Sequence, residues 1–123
     1  MQPLLGRFAP QFYALLRFVS GLLFACHGAQ KLFGLFGGHQ VPLMSQFGLA
    51  GVIEVVGGLM IAVGFFTSIV AFIASGEMAV AYLQAHLPRG AVPIQNGGEP
   101  AVLFCFLFLY MSARGTGIWG LRK

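Results

Sequence analysis

The chain has 123 residues, of which 58% are hydrophobic and only 8% are charged. Soluble domains carry about 25% charged residues, so the composition excludes an ordinary soluble domain and indicates an integral membrane protein. The formal net charge of +4 does not indicate a nucleic-acid partner, because the seven lysines and arginines are scattered and form no basic run.

The first apolar segment runs from Pro10 to Phe36 and is long enough to cross a bilayer as one helix. Arg7 precedes it, as in a signal peptide, but the run continues through Arg17 to Lys31 without a small-residue cleavage site, so we interpret it as a retained helix. Helical periodicity of about 100° per residue gathers its polar side chains on one face. That face holds Tyr13, Arg17, Ser20, Phe24, His27 and Lys31, with Gly21 and Gly28 at its edge.

The second and third apolar segments, Phe47 to Phe66 and Thr67 to His86, follow each other almost directly. Thr67 or Ser68 suits the N-cap of the third helix. A connection this short predicts that the two helices are antiparallel neighbours.

Each of these two segments contains one glutamate, Glu54 in the second and Glu77 in the third. Residues at helical spacing share a face with each glutamate. They are Ala50, Gly51 and Gly58 for the second helix, and Ala81 and Gln84 for the third. The small residues predict that neighbouring backbones approach closely beside each carboxyl group.

The fourth segment begins with Glu99 and Pro100, a pattern typical of a helix start. Residues 101–113 carry no charge, but they span only about 20 Å as a helix. We therefore expect the helix to continue towards Trp119, with the Arg114 side chain reaching up to the lipid headgroups.

Two stretches rich in glycine and proline, Gly34 to Gln46 and Leu87 to Gly98, are predicted loops. With four spans, both loops lie on one side of the membrane. Basic residues near the termini favour a cytoplasmic location for both ends; they are Arg7, Arg114, Arg122 and Lys123. The predicted fold is all-α: a single domain, residues 1–123, forming an antiparallel four-helix integral membrane bundle with cytoplasmic N and C termini.

A charged side chain in hydrocarbon costs about 2.5–3.5 kcal/mol on translocon-insertion scales, so it faces the bundle interior and pairs. Similar depth predicts that Glu54 pairs with His27 or Lys31, and that Arg17 reaches towards Glu77. The alternative is that such pairs only set helix register and bind nothing.

Glu99 is expected to form a polar lid with His86 and Arg89 at the outer mouth of the bundle. The candidate ligand-binding or proton-relay residues are Arg17, His27, Lys31, Glu54, Glu77 and Glu99. No catalytic residue is assigned.

The remaining histidines and cysteines point to no metal site. His39 lies among loop glycines, and His27 has no second histidine spaced to share its face, which favours hydrogen bonding or proton transfer over haem or metal ligation. Cys26 and Cys105 form no CxxC pair. A disulfide between them is allowed but not required.

Three stretches of the chain resemble the DoxX family of small membrane proteins. They are LLRFVSGLLFACHGAQKLFG from Leu15 to Gly34, EVVGGLMIAVGFFT from Glu54 to Thr67, and NGGEPAVLFCFLFLYMSARGTGIW from Asn96 to Trp119. The resemblance implies a four-helix protein of the bacterial cytoplasmic membrane, sometimes linked to quinone-dependent oxidoreductase systems in sulfur or thiol metabolism. The C-terminal Leu121, Arg122 and Lys123 depart from the acidic ending that is common in that family.

The leading functional hypothesis is a membrane subunit of a redox system with a site for a quinone-like molecule in its outer half. Lys31 or His27 would donate a hydrogen bond to the ligand, Glu54 would hold that donor or relay a proton, and Phe24 would form an aromatic wall. The chain has no flavin, haem, iron–sulfur or nicotinamide signature, so a partner oxidoreductase would supply that chemistry, and whether the chain is itself an enzyme stays open. The alternatives are a proton-coupled small-molecule exporter, acting as a homo-oligomer, and a non-catalytic membrane scaffold.

Overall fold

The computed structural model describes residues 2–122, and this part of the chain is helical apart from loops and one isolated bridge between Phe65 and Arg122. The principal helices are α1 (Ala9–Phe33), α2 (Gln46–Val63), α3 (Thr67–Ala81), α4 (Pro93–Asn96) and α5 (Glu99–Arg114). A 3₁₀ turn at Gly6–Phe8 precedes α1. A π-helical turn at Tyr82–His86 and a 3₁₀ turn at Leu87–Arg89 extend α3. The predicted all-α class is confirmed.

Within the described residues, three helical stretches are long and apolar enough to cross a membrane: Gly6–Phe33, Gln46–Val63 and Thr67–Arg89. Large apolar side chains cover their outer faces, including Leu15, Phe18 and Phe72. Such surfaces are stable only against lipid, because large apolar patches are rare on soluble monomers. The protein is therefore a membrane protein in contact with the bilayer.

The helix starts predicted from proline are confirmed, but the predicted N-cap of α3 is wrong. Proline occupies the first turn of both α1 and α5. α1 ends at Phe33, earlier than the expected Phe36, because Gly34 adopts a left-handed conformation with φ of 68°. Neither Thr67 nor Ser68 caps α3; the N-cap position is Phe66, which has no side-chain capping bond.

Helices α1 and α2 pack with their backbones in direct contact at glycine residues. On α2 these are Gly51 and Gly58, which share the helix face of Glu54. A Cβ atom added to Gly21 would lie 2.5 Å from the carbonyl oxygen of Gly58, and one added to Gly58 would lie 2.5 Å from the carbonyl oxygen of Gly21. A Cβ on Gly28 would lie 2.6 Å from the carbonyl oxygen of Gly51. No residue with a side chain fits at these positions unless the helices move apart.

Helices α3 and α5 form the second tightly packed pair. Ala71 and Ala74 of α3 and Phe108 and Met111 of α5 are completely buried in the core. The Phe24 ring of α1 lies 4.8 Å from the Phe108 ring, centroid to centroid, and so joins the two pairs.

The predicted continuation of the last helix to Trp119 is wrong, because α5 ends at Arg114. Residues 115–122 turn back under the bundle and bond to the short connection between α2 and α3. The Leu121 amide donates to the Val63 carbonyl at 3.0 Å, and the Arg122 amide donates to the Gly64 carbonyl at 2.7 Å. The C-terminal segment and the α2–α3 connection therefore share one end of the molecule, opposite the two long loops.

Gly21→Ala is predicted to destabilise the protein, because the added methyl group would overlap the backbone of α2. We expect a cost of about 1–3 kcal/mol. The measurement is the heating temperature at which detergent-solubilised protein is lost from its monodisperse size-exclusion peak.

Gly76→Ala is the matched control, because a Cβ at Gly76 of α3 meets nothing within 4 Å. Alanine is the better helix former by about 1 kcal/mol, so this variant should tolerate at least the wild-type temperature. Equal transitions for the two variants would contradict the role given to the α1–α2 contact.

A cavity beside a buried charge cluster

A cavity of about 730 Å³ lies between α2 and α3, at the end of the molecule that carries the two long loops. Ala50 and Ile53 line it from α2, Met78 and Ala81 from α3, and Phe104 from α5. Its polar lining groups come from His27, Lys31, Gln46, Glu77, Gln84 and His86. The cavity is thus a mainly apolar chamber with a few polar groups, which is the usual character of a small-molecule site.

The expected ion pair between α1 and α2 is present. Lys31 Nζ donates to Glu54 Oε1 at 2.6 Å. The Glu54 side chain is completely buried, whereas the Lys31 side chain retains 28% of its exposure and lines the cavity. Glu54 therefore lies behind Lys31 and holds the ammonium group at the cavity wall.

A second carboxyl group joins this pair from α3. Glu77 lines the cavity, and its carboxyl group is a close neighbour of the Glu54 carboxyl group. Oε2 of Glu54 and Oε1 of Glu77 are buried and have no hydrogen-bond donor among the described residues. The cluster therefore combines one cation with two carboxyl groups, and each carboxyl group keeps one buried oxygen without a donor in the described part of the chain.

His27 lies at the cavity but does not pair with Glu54. Its ring packs edge-on against Phe104, with centroids 5.7 Å apart. Phe24, the residue expected to form an aromatic wall, is fully buried and does not line the cavity. Phe104 packs against it, with the two ring centroids 5.5 Å apart. The aromatic wall is therefore formed by Phe104, with an imidazole beside it.

The expected approach of Arg17 to Glu77 is wrong. Arg17 is 2% exposed, and its guanidinium group donates to three backbone carbonyls of the C-terminal segment. The acceptors are Thr116 at 2.5 Å, Ile118 at 3.0 Å and Trp119 at 3.1 Å. Arg17 thus belongs to the opposite end of the molecule from the cavity, because the returning chain offers acceptors that helical periodicity could not indicate.

The expected polar lid of Glu99, His86 and Arg89 is not held together by an ion pair within the described residues. Glu99 and Arg89 are exposed, and neither forms a salt bridge within the described residues. His86 contacts the backbone instead, with its Nδ1 atom 3.2 Å from the Asn96 carbonyl oxygen. The loop residues are therefore held by hydrogen bonds of the main chain and of Asn96.

Sequence reasoning assigned no role to Asn96, although it lies in the NGGE stretch. Its side chain is 2% exposed and donates to Tyr82 Oη and to the Gly90 carbonyl, each at 3.0 Å. It also accepts a bond from the Gly98 amide at 2.8 Å. An asparagine before two glycines was the available signal for a turn of this kind.

A second contact that the sequence did not reveal joins the loop-side ends of the two cavity helices. Gln46 Nε2, at the start of α2, donates to Gln84 Oε1 in the π-helical turn after α3. Both glutamines line the cavity. This hydrogen bond links α2 to the end of α3 at the loop side of the cavity.

No group of three or more metal-ligating side chains occurs among the residues that the structure describes. Cys26 is exposed, Cys105 is half-buried, and both are free thiols. The ionisable side chains that line the cavity are Lys31, Glu77, His27 and His86, and Glu54 lies behind Lys31.

Comparison with known proteins agrees with the resemblance found from the motifs. The sequence model of the DoxX family matches residues 12–87. A protein of Haemophilus influenzae, described as an uncharacterized protein, is 40% identical over 120 residues, which cover 92% of this chain and 90% of the relative. No solved structure matches the chain.

Arg17→Met is predicted to release the C-terminal segment, because it removes the donors for three carbonyl groups. A hydrogen bond to a charged group contributes about 1.5–3 kcal/mol, and about 1.4 kcal/mol corresponds to a tenfold change in an equilibrium. We expect trypsin to cleave after Arg114 at least about tenfold faster than in the wild type. Intact-mass spectrometry of timed digests measures the rate.

Lys31→Met serves as the control for this experiment, since Lys31 lies at the cavity end and should leave cleavage at Arg114 unchanged. Cleavage of Arg17→Met at the wild-type rate would show that Arg17 does not anchor the segment.

Proposed function

Since the chain belongs to the DoxX family, we propose that it is a membrane subunit of a quinone-linked or thiol- and sulfur-linked redox system of the bacterial cytoplasmic membrane. The observation that carries the proposal is the Lys31–Glu54–Glu77 cluster in the wall of an otherwise apolar cavity. A quinone-like molecule has matching chemistry, with an apolar body and carbonyl oxygens that accept hydrogen bonds.

In this proposal α5 crosses the membrane as a fourth span, and both termini are cytoplasmic. Basic residues at the terminal end of the molecule support that orientation; Arg7, Arg114 and Arg122 are among them. The cavity then lies in the outer half of the membrane.

Each side chain of the cluster has a distinct role in ligand binding. Lys31 donates a hydrogen bond to a carbonyl oxygen of the ligand, and Glu54 orients the ammonium group from behind at 2.6 Å. His27 and Phe104 flank the ligand ring, and Glu77 accepts or returns a proton when the ligand changes its redox state. A partner oxidoreductase supplies the electrons.

A proton-coupled exporter is the second candidate, and the two neighbouring carboxyl groups of Glu54 and Glu77, each with a buried oxygen that has no donor among the described residues, favour it. A carboxyl pair that holds a proton can release it when a cationic substrate binds. Such a protein would use the same cavity without a redox partner.

Lys31→Met and Glu54→Gln are each predicted to weaken the binding of decylubiquinone by about tenfold or more, because a charge-assisted hydrogen bond of about 1.5–3 kcal/mol is lost or misplaced. Isothermal titration calorimetry of the protein in nanodiscs measures the affinity. The double variant removes both charges of the ion pair, so neither partner is left as an unpaired charge.

Ser68→Ala is the control for this titration, because Ser68 bonds the Ser112 carbonyl at the far end of the molecule. Its affinity should equal that of the wild type. If wild type, both single variants and the double variant bound decylubiquinone equally, the proposed site would be wrong.

The exporter candidate predicts proton release when tetraphenylphosphonium is added to weakly buffered, detergent-solubilised protein. Glu77→Gln should abolish the release, because the carboxyl pair is lost. A pH-sensitive dye records the change. Absence of release in the wild type across neutral and mildly alkaline pH would eliminate this candidate and leave the redox proposal intact.

A further inference from the structure

The gap between α2 and α3 is closed at both ends and open between them. At one end a connection of Gly64, Phe65 and Phe66 joins the two helices directly. At the other end the hydrogen bond from Gln46 to Gln84 spans the gap. The cavity lies between these two closures.

The residues along the gap belong to the cavity and to the outer surface at the same time. Leu49 of α2 and Ile73 and Val80 of α3 line the cavity, yet they are 61%, 51% and 47% exposed. The cavity therefore reaches the outside of the protein through the side of the bundle.

Gly76 makes the α3 side of the gap wide. It lines the cavity, it is exposed, and a Cβ atom added to it would meet nothing within 4 Å. Unlike Gly21 and Gly58, it is not required by helix packing. Its effect is to leave open the space between Ile73 and Val80.

The outer surface of α2 and α3 faces lipid, because both helices have the length and apolar composition of membrane spans. Leu49, Ile73 and Val80 offer no hydrogen-bond partner along the gap. A polar group exposed there would be unsatisfied in a hydrocarbon environment, at a cost of several kcal/mol. The apolar side chains along the gap therefore suit a hydrocarbon chain better than a polar substrate.

We propose that the gap between α2 and α3 is a lateral portal through which the cavity takes up a molecule dissolved in the bilayer. The hydrocarbon tail of that molecule lies along Leu49, Gly76 and Val80, and its polar head reaches Lys31 and Glu77. The inference rests on the proposed function for the head group, and it defines the ligand as a membrane-dissolved amphiphile with one hydrogen-bonding end.

The test uses fluorescence quenching by lipids brominated on their acyl chains. Trp119 is the single tryptophan of the chain, so Trp119→Phe gives a background into which Phe104→Trp places a reporter on the cavity wall. In nanodiscs of brominated phosphatidylcholine we expect this reporter to be quenched by acyl chains in the gap. Adding Gly76→Phe should remove most of the quenching, whereas Gly76→Ala should preserve it.

Leu103→Trp in the same background is the matched control, because Leu103 is 68% exposed on the outer face of α5. Its quenching should be the same with glycine, alanine or phenylalanine at position 76. Equal quenching of the Phe104→Trp reporter with alanine and phenylalanine at position 76 would overturn the portal, as would a reporter that brominated chains never quench.

A second measurement separates the portal from the proposed function. Gly76→Phe is expected to lose decylubiquinone binding, whereas Gly76→Ala keeps it. Quenching that depends on position 76, together with no decylubiquinone binding in the wild type, supports the portal and overturns the quinone site. Unchanged binding in Gly76→Phe overturns the portal and leaves the quinone site standing.

Discussion

The backbone contact between α1 and α2 is the constraint on which the site depends. Gly21 and Gly58 bring the two helices together so closely that neither position has room for a Cβ atom. At the same seam the completely buried Glu54 meets Lys31 at 2.6 Å. A buried carboxylate without this partner would be strongly unfavourable. The glycines therefore permit the charge pair, and the charge pair fixes the ammonium group at the cavity wall.

The two ends of the molecule differ in the partners of their buried charged groups. At the end with the chain termini, Arg17 is surrounded by the carbonyls of a segment that folds back over it, so the charge is enclosed and has a structural role. At the loop end, Glu54 and Glu77 keep buried carboxyl oxygens without donors among the described residues. Arg17 Nε at the terminal end is also buried without an acceptor among the described residues, so an unpartnered atom alone does not distinguish the two ends. The loop end differs because its charged groups lie beside a cavity, and it is the end at which we propose a ligand site.

The cavity follows from unequal packing around the bundle. α1 packs tightly on α2, and α3 packs tightly on α5, whereas α2 and α3 contact each other much less. The hydrogen bond between Gln46 and Gln84 then holds the separated ends at a set distance. Gly76 keeps the α3 side of this gap free of side-chain bulk. The same arrangement forms the chamber and leaves it open to the surrounding lipid.

The sequence by itself determined the membrane class, the approximate positions of the first three helices, most of the buried face of α1 and the pairing of Glu54 with a basic residue of α1, either His27 or Lys31. These features depend on local periodicity and on the high cost of charge in hydrocarbon, and both can be read residue by residue. Only the tertiary structure decided the partners of Arg17, the early end of the last helix and the gap beside Gly76. Those depend on the path of the chain after Gly115 and on the angle between α2 and α3. Contacts between residues distant in sequence set that path and that angle, and helical periodicity carries no information about them.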